Sequence, residues 1–493
     1  MPRSDVFVWV GFKVPLIGRI TLFEWDATLV RATLVSFVLT PPTHPVLATT
    51  ADDGTVTLNM GDLSDQRIVG DTSPAHQQFS LSGNGGGSIT ITFNGATQTV
   101  HASKVVANTA DSDSDITLRN LDVPITITGG DGNNFIDAGQ SNDGVFTFGN
   151  GNNVIIGTNA ADTITVGDGN NTIIDGDGGN IIIAGNGNNY VASGAGADTI
   201  TVGTGNNVVV GGKGNNTIQV GSGNNIVVGG QATSVMTTFV HSGTTYTVYG
   251  PDGNGVISNT TTANDGDNLI TLSIGNNIVL GGSGSDHVIL DGGGDNFIVA
   301  DLGSVTLATD GTSFLSNWAA NGPASVISTK ATTNTGGSDF IDAQTASGDN
   351  VIMGGAGADT LLGGAGTNII MGDTGSADGG RAAAAVCSPL PARPPASATI
   401  IVGGASDDVL FGNSGNDSLS GGAGNDIMAG GDATVVRDHA LGAAGIGQQL
   451  YQTRDGSPRW QRRFGFARWR HRQQHHDGRR WRHHYRWRLR QQR

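Results

Sequence analysis

From residue 167 onward, polar and apolar positions recur every nine residues. Gly167, Gly176, Gly185, Gly194, Gly203, Gly212, Gly221 and Gly230 form one column. Ile173, Ile182, Val191, Ile200, Val209, Ile218 and Val227 form a second at the same step. The second column is β-branched and apolar, which is what an inward-facing strand position selects. The first opens a Gly-rich turn, where φ > 0 and close backbone approach carry no steric cost. Each unit, such as GDGNNTIID or GSGNNIVVG, therefore predicts one tight turn and one strand of about three residues.

A strand that short cannot bury its apolar side alone. Two units per coil, with coils stacked at about 4.8 Å, give two parallel sheets around an Ile/Val core. The expected fold is all-β: a parallel β-roll or β-helix solenoid of nonapeptide repeats with inserted loops. The nine-residue step holds, with small slips, over 129–230, 264–300, 336–372 and 403–432. Three stretches break it, 231–263, 301–335 and an Ala/Pro-rich 373–402. The first two are Thr/Ser-rich and read as loops or short hairpins extruded from the stack. Their openings, GGQAT at Gly229, ADLGS at Ala300 and GDTGS at Gly372, point to a longer period of about 71 residues. Before the array, alternation such as TVTLNM and SITITFNG makes 53–128 a β-rich cap feeding the stack.

Three units, GGSGSDHVI (281–289), GGAGADTLL (354–362) and GGAGNDIMA (421–429), fit the pattern GGxGxDxUx. The chain resembles a fragment of an RTX (hemolysin-type) calcium-binding repeat region over about 130–432. The resemblance implies Ca²⁺ held between successive turns by Asp carboxylates and backbone carbonyls. That role falls on Asp198, Asp286, Asp339, Asp359, Asp408, Asp417 and Asp426, with the backbone of Gly354, Gly355, Gly357, Gly421, Gly422 and Gly424. It also implies a secreted, extracellular bacterial protein exported by a C-terminal signal, although no such signal is recognisable at this C-terminus.

The spacing has its own chemistry. Calcium takes about six to eight hard oxygen ligands in a forgiving geometry. Two units make a coil, so residues 18 apart share an edge: Asp408 stacks on Asp426, with Asp417 on the opposite edge. Stacked carboxylates repel unless a cation lies between them, and the ion then becomes part of the folding free energy. Of 22 turns that offer the ligand position, nine carry Asp: Asp143, Asp162, Asp198, Asp286, Asp339, Asp359, Asp408, Asp417 and Asp426. The other thirteen carry Asn, among them Asn171, Asn180, Asn189, Asn207, Asn216 and Asn225. An Asn can bond to the Asn of the next coil without metal. Asp198, between Asn180 and Asn216, is then a poor calcium site. The expectation is a metal-weak Asn ladder over 130–230 and calcium-dependent folding concentrated in 336–432.

Composition sharpens this picture. Gly makes up 79 of 493 residues, which excludes a mainly helical protein, and no Gly-X-Y period supports collagen. The 37% hydrophobic content is enough for a core. A single Cys, Cys387, excludes an internal disulfide framework. The acids are 41 Asp and one Glu, Glu24. Residues 1–450 hold 12 Lys and Arg against 40 acids, whereas 451–493 hold 14 Arg against two Asp. So acidic a body suits a cation and excludes specific nucleic-acid binding.

The basic tail, 433–493, imitates a nucleic-acid-binding arm. Glycine codons read one base out of frame yield Trp and Arg, and the tail shifted by one base returns Gly, Asn, Asp and Ile. A frameshift after Asp432 is the more economical account, and the Ala/Pro stretch 381–397 is a candidate second patch. The apolar-rich segment 1–52 is interrupted by Lys13, Arg19, Glu24, Asp26 and Arg31, so it offers no transmembrane span.

Catalytic signatures are missing from the sequence. With no Glu after Glu24 there is no HExxH zinc motif, and neither a GxSxG elbow nor a phosphate loop occurs. DSDSD (111–115) imitates an EF-hand loop, but Ile116 stands where Gly is needed. His287 reads as a surface residue. The expected function is non-enzymatic: a calcium-binding structural or adhesin-like region, with cell-surface or matrix polysaccharide as candidate partner. The alternatives are a β-helical polysaccharide lyase or epimerase, or a toxin fragment. The enzyme would need an Asp/His/Lys or Tyr cluster on one face, toward which the array offers only Lys213, Lys330 and His287.

Overall fold

A computed structural model describes residues 7–14, 18–26, 45–68, 71–241, 243–252, 254–259, 265–308, 326–331, 336–378, 385–389, 398–431 and 435–437. Apart from Val435–Arg437 the basic tail lies outside the described residues, as do 381–384 and 390–397 of the Ala/Pro stretch. Within 1–52, strands Phe7–Val14 and Gly18–Asp26 pair antiparallel, and Ala48–Thr50 pairs with Thr55–Leu58.

Each nonapeptide gives a strand of three or four residues, and successive strands alternate between two long sheets of 15 and 16 strands. Pairing within the array is parallel, and its register is set by the 18-residue coil: Ile182 opposes Ile200, which opposes Ile218. Across the core, Ile173 opposes Val191, then Val209 and Val227. Every residue of the predicted apolar column is at most 1% exposed. Glycine positions in these turns tolerate no side chain: a Cβ on Gly187, whose φ is +122°, would lie 2.1 Å from the Gly169 carbonyl oxygen of the coil before. The open N-terminal end of the core is closed by an antiparallel meander, Gln77–Gly85, Ser88–Phe93 and Ala96–His101. The Asp-rich loop at 111–115 leads into strand Ser114–Arg119, so it is a repeat turn and no EF-hand.

The inserts depart from expectation. Their described strands are not extruded. Strands Val256–Asn259, Gly303–Leu307, Val326–Ala331, Gly375–Asp378, Ala385–Pro389 and Val435–Arg437 form one six-stranded antiparallel sheet. This insert sheet covers the outer side of the 16-stranded sheet and encloses a second core that includes Val228, Leu280, Phe297, Val299, Val305, Leu307, Met353 and Met371. Covered on both faces, strands such as Asn277–Leu280 and Asn350–Met353 are buried at every position. Each insert is spliced into the same kind of turn, one that leads from the 16-stranded sheet back to the 15-stranded sheet, after Gly230, Asp301 and Asp373. The 71-residue period is the spacing of those splice points. Strand Ala385–Pro389, which contains Cys387, pairs with Gly375–Asp378 as the other inserts pair, so this part of the Ala/Pro stretch behaves as an insert.

Among the described residues no strand covers the opposite side of the roll. Its outward positions between 163 and 271 are Thr163, Thr165, Ile181, Ile183, Thr199, Thr201, Thr217, Gln219, Leu269 and Thr271, without a charge among them.

Candidate metal sites

The ligand position of every repeat sits at the foot of a strand, where its side chain turns back over its own turn. On the edge leading into the 16-stranded sheet these residues form one amide ladder. Asn134 Nδ2 donates to Asn153 Oδ1 at 3.1 Å, and the same bond continues through Asn171, Asn189, Asn207, Asn225, Asn277, Asn296, Asn350 and Asn368. The ladder ends when Asn368 donates to Asp408 Oδ1 at 3.0 Å. It runs far past residue 230, so the ladder is not confined to 130–230 as expected. Amides and acids are divided mainly by edge: seven of the nine Asp positions lie on the other one, which leads into the 15-stranded sheet.

Substituting acid for amide changes one atom with large consequences. In an Asn turn Nδ2 also donates to the carbonyls of its own loop, as Asn189 does to Gly185 O at 2.9 Å and Gly187 O at 3.1 Å. Asn368 Nδ2 finds Gly364 O, Gly366 O and Gly403 O, all within 3.1 Å. In an Asp turn one oxygen keeps the ladder role. Asp339 Oδ1 accepts the Asp286 N–H at 2.7 Å, and Asp359 Oδ1 accepts the Asp339 N–H at 3.0 Å. The other oxygen takes the place of Nδ2. A Cβ on Gly211 or Gly363 would meet the amide nitrogen of Asn216 or Asn368 at 3.0 Å. A Cβ on Gly354 or Gly403 would meet Asp359 Oδ2 or Asp408 Oδ2 at 2.4 Å. At Gly354 the Gly372 carbonyl oxygen lies at the same 2.4 Å.

An acceptor therefore stands among acceptors. Asp198, Asp286, Asp339, Asp359, Asp408 and Asp417 each have a buried Oδ2 without a hydrogen-bond partner. Leaving such a group buried and unpaired is costly, and only a proton or a cation relieves it. Burial, the largest cause throughout, pushes Asp286 and Asp359 up to about 7 and Asp408 and Asp417 up to about 6. Burial followed by the charges of Asp286 and Asp359 takes Asp339 to about 9. Asp198 and Asp426 are raised by burial as well. The residues fit a hard cation with carbonyl co-ligands. Among the described residues no three His, Cys, Asp or Glu side chains form a metal site by themselves, so the Gly-rich loops must supply oxygens. Gly355, Gly357, Gly422 and Gly424 all have the left-handed φ, +89° to +140°, that such loops require, while Gly354 and Gly421 lie beneath the free oxygens of Asp359 and Asp426.

The structure also separates the nine Asp positions. Asp162 is saturated by protein donors: Gly144 N–H at 2.6 Å, Thr158 N–H at 2.5 Å and Thr158 Oγ1 at 2.9 Å. Asp143 is exposed. Asp198 sits between amides as expected, yet its Oδ2 is as orphaned as those of the acid-rich turns. Sequence reasoning missed Asp265 and Asp301, both buried with an unpartnered oxygen, because neither occupies the nonapeptide's ligand position. The repetition of Asp at the splice point, Asp301 and again Asp373, was the available signal.

A second polar cluster was also invisible in sequence. The hairpin Val235–His241 and Thr244–Tyr249 folds back across the 16-stranded sheet to strands lying more than 100 residues earlier. His241 Nε2 meets Asp115 Oδ2 at 2.8 Å and its ring stacks on Phe135 at 3.4 Å. The Tyr246 hydroxyl and the Arg119 guanidinium both donate to Asp137. Tyr246 is raised by burial and by its bond to Asp137.

Short parallel strands stacked between Gly-rich turns, with pockets of oxygen acceptors at those turns, define a β-roll solenoid with places for hard cations. A family model of the RTX calcium-binding nonapeptide repeat matches residues 126–147, 149–174, 165–200, 201–233, 258–297, 344–376 and 400–433. The chain carries several copies of this repeat, and the repeats imply Ca²⁺ as the ion. No curated protein matches the chain.

Proposed function

We propose that the chain is a calcium-dependent structural, adhesin-like region of a secreted bacterial RTX-type protein, in which Ca²⁺ outside the cell drives folding of the roll. The observation behind this reading is the row of orphaned, buried Asp Oδ2 atoms. A chain that stays in the low-calcium cytosol keeps those carboxylates apart, and millimolar extracellular calcium lets them stack. Among the described residues no helix is long and apolar enough to cross a membrane. The uncharged stretch of the outer face of the 15-stranded sheet between 163 and 271 fits contact with a neutral surface polymer better than with a polyanion. Calcium titration of the full chain by far-UV circular dichroism is the test. Strand signal should rise with Ca²⁺ and fall with chelator; a spectrum unchanged by either contradicts the proposal.

A polysaccharide-modifying enzyme is the second reading, and the cluster of Asp115, Arg119, Asp137, His241 and Tyr246 favours it. These are residue types suited to proton transfer at an acidic sugar. Against it, Tyr246 and Arg119 are already committed to Asp137, and His241 to Asp115. Turnover of a polyuronate that is abolished by His241→Ala and Tyr246→Phe would establish the enzyme; no turnover leaves the cluster as a clamp for the hairpin.

A further inference from the structure

We infer that Asp301 forms a divalent-cation site at the base of the second insert, so that one ion ties the insert sheet to the roll. The inference rests on the calcium reading above but concerns a residue outside the nonapeptide's ligand position. Asp301 directly follows strand Asn296–Val299 and Ala300, where the chain leaves the roll. It is fully buried. Its Oδ2 accepts the Ala356 N–H, and its Oδ1 has no partner.

Its position is what gives the carboxylate meaning. A Cβ on Gly336 would lie within 1.9 Å of both Asp301 oxygens, and one on Gly355 would lie 2.4 Å from Oδ2. Gly336 opens the turn that carries Asp339, and Gly355 belongs to the turn that carries Asp359. Asp301 is thus wedged between two successive coils, each of which has an unpartnered Oδ2 of its own. No ion pair neutralises it: the only pairs among the described residues are Arg119–Asp137 and His241–Asp115. Gly336 is also the first described residue after the insert, whose strand Gly303–Leu307 begins two residues past Asp301. Departure and return of the insert meet at one carboxylate, and an ion there clips both ends. The first insert is drawn in as well, since Asn259 Oδ1 accepts the Gly303 N–H at 2.8 Å.

The third insert supplies the contrast. Asp373 occupies the equivalent place, but its Oδ2 accepts both the N–H and the hydroxyl of Ser414. The same sequence signal is spent there on a protein partner. At Asp301, by contrast, one carboxylate oxygen is left buried without a hydrogen-bond partner.

The test uses the full chain and calcium alone. Isothermal titration gives the number of ions bound by the wild type and by Asp301→Asn, with Asp373→Asn as control. Hydrogen exchange follows the amides of Gly303–Leu307 and Val326–Ala331. Asp301→Asn should bind one ion fewer and lose the calcium-dependent slowing of exchange in both strands, while Asp373→Asn keeps the full number. Should Asp301→Asn fail to fold, Asp301→Ser provides the same readouts. Equal ion numbers in wild type and variant overturn the inference and leave the calcium reading standing. A wild type that binds no calcium overturns both.

Discussion

At the scale of the residue, the difference between Asn and Asp is one atom placed among carbonyls. Where that atom is Nδ2 the turn is satisfied by the protein; where it is Oδ2 it needs a proton or a cation. Asp359→Asn should therefore remove one calcium ion while raising the stability of the calcium-free protein by about 1–3 kcal/mol, the cost of an unsatisfied buried group. Denaturant unfolding in chelator checks this, and a variant less stable than wild type in chelator contradicts it. Protons compete for the same oxygens. Asp286, Asp339, Asp359, Asp408 and Asp417 all have folded-state values raised above the ordinary carboxylate range. Folding without calcium then takes up protons, so its stability is fully present below about pH 4 and is lost as pH rises through 6 to 9. Calcium affinity should rise over that same window as its ligands lose protons. Thermal melts at pH 5 and pH 8, with and without Ca²⁺, show the crossing; a calcium-free protein more stable at pH 8 refutes it. Both the repeat and the ligand position were readable from sequence because each depends on spacing. Asp301 was not, since its burial depends on an insert that folds back.

At the scale of the element, strands of three or four residues have stability only through their neighbours. Ile200 is fully buried and opposed by Ile182 and Ile218, so Ile200→Ala should cost about 2–5 kcal/mol, read from the shift in denaturant midpoint. A shift under about 0.5 kcal/mol would place the column outside the core. The hairpin of Val235–His241 and Thr244–Tyr249 is held by His241 and Tyr246 on Asp115 and Asp137. Tyr246→Phe should speed hydrogen exchange in Val235–His241 and leave Val208–Val210 unchanged; equal exchange in wild type and variant would mean the clamp contributes nothing. The inserts were the hardest elements to read. A signal existed: strands of the 16-stranded sheet run NIVV, NIVL, NFIV and NIIM, whereas those of the other sheet alternate as TITV and TIQV. Unbroken apolar runs mark a sheet buried on both faces. Antiparallel pairing between inserts about 71 residues apart leaves no such local trace.

At the scale of the whole molecule, the roll has two chemically different edges and two different faces. One edge is an amide ladder that closes itself, and the other concentrates acids that need an ion. One face is roofed by the insert sheet, and the other carries no charge at its outward positions between 163 and 271. The stack is quasi-one-dimensional, so on the proposed reading ions along the acidic edge would set cohesion of the array without contacts across a distant core. The most direct measurement is a comparison between wild type and a variant with Asp286, Asp339, Asp359, Asp408 and Asp417 all replaced by Asn, each followed by circular dichroism and calorimetric calcium titration. The wild type should fold only as it takes up calcium, and the variant should fold in chelator and bind at least five ions fewer. A wild type equally folded in chelator, or a variant that binds as many ions, would contradict the account.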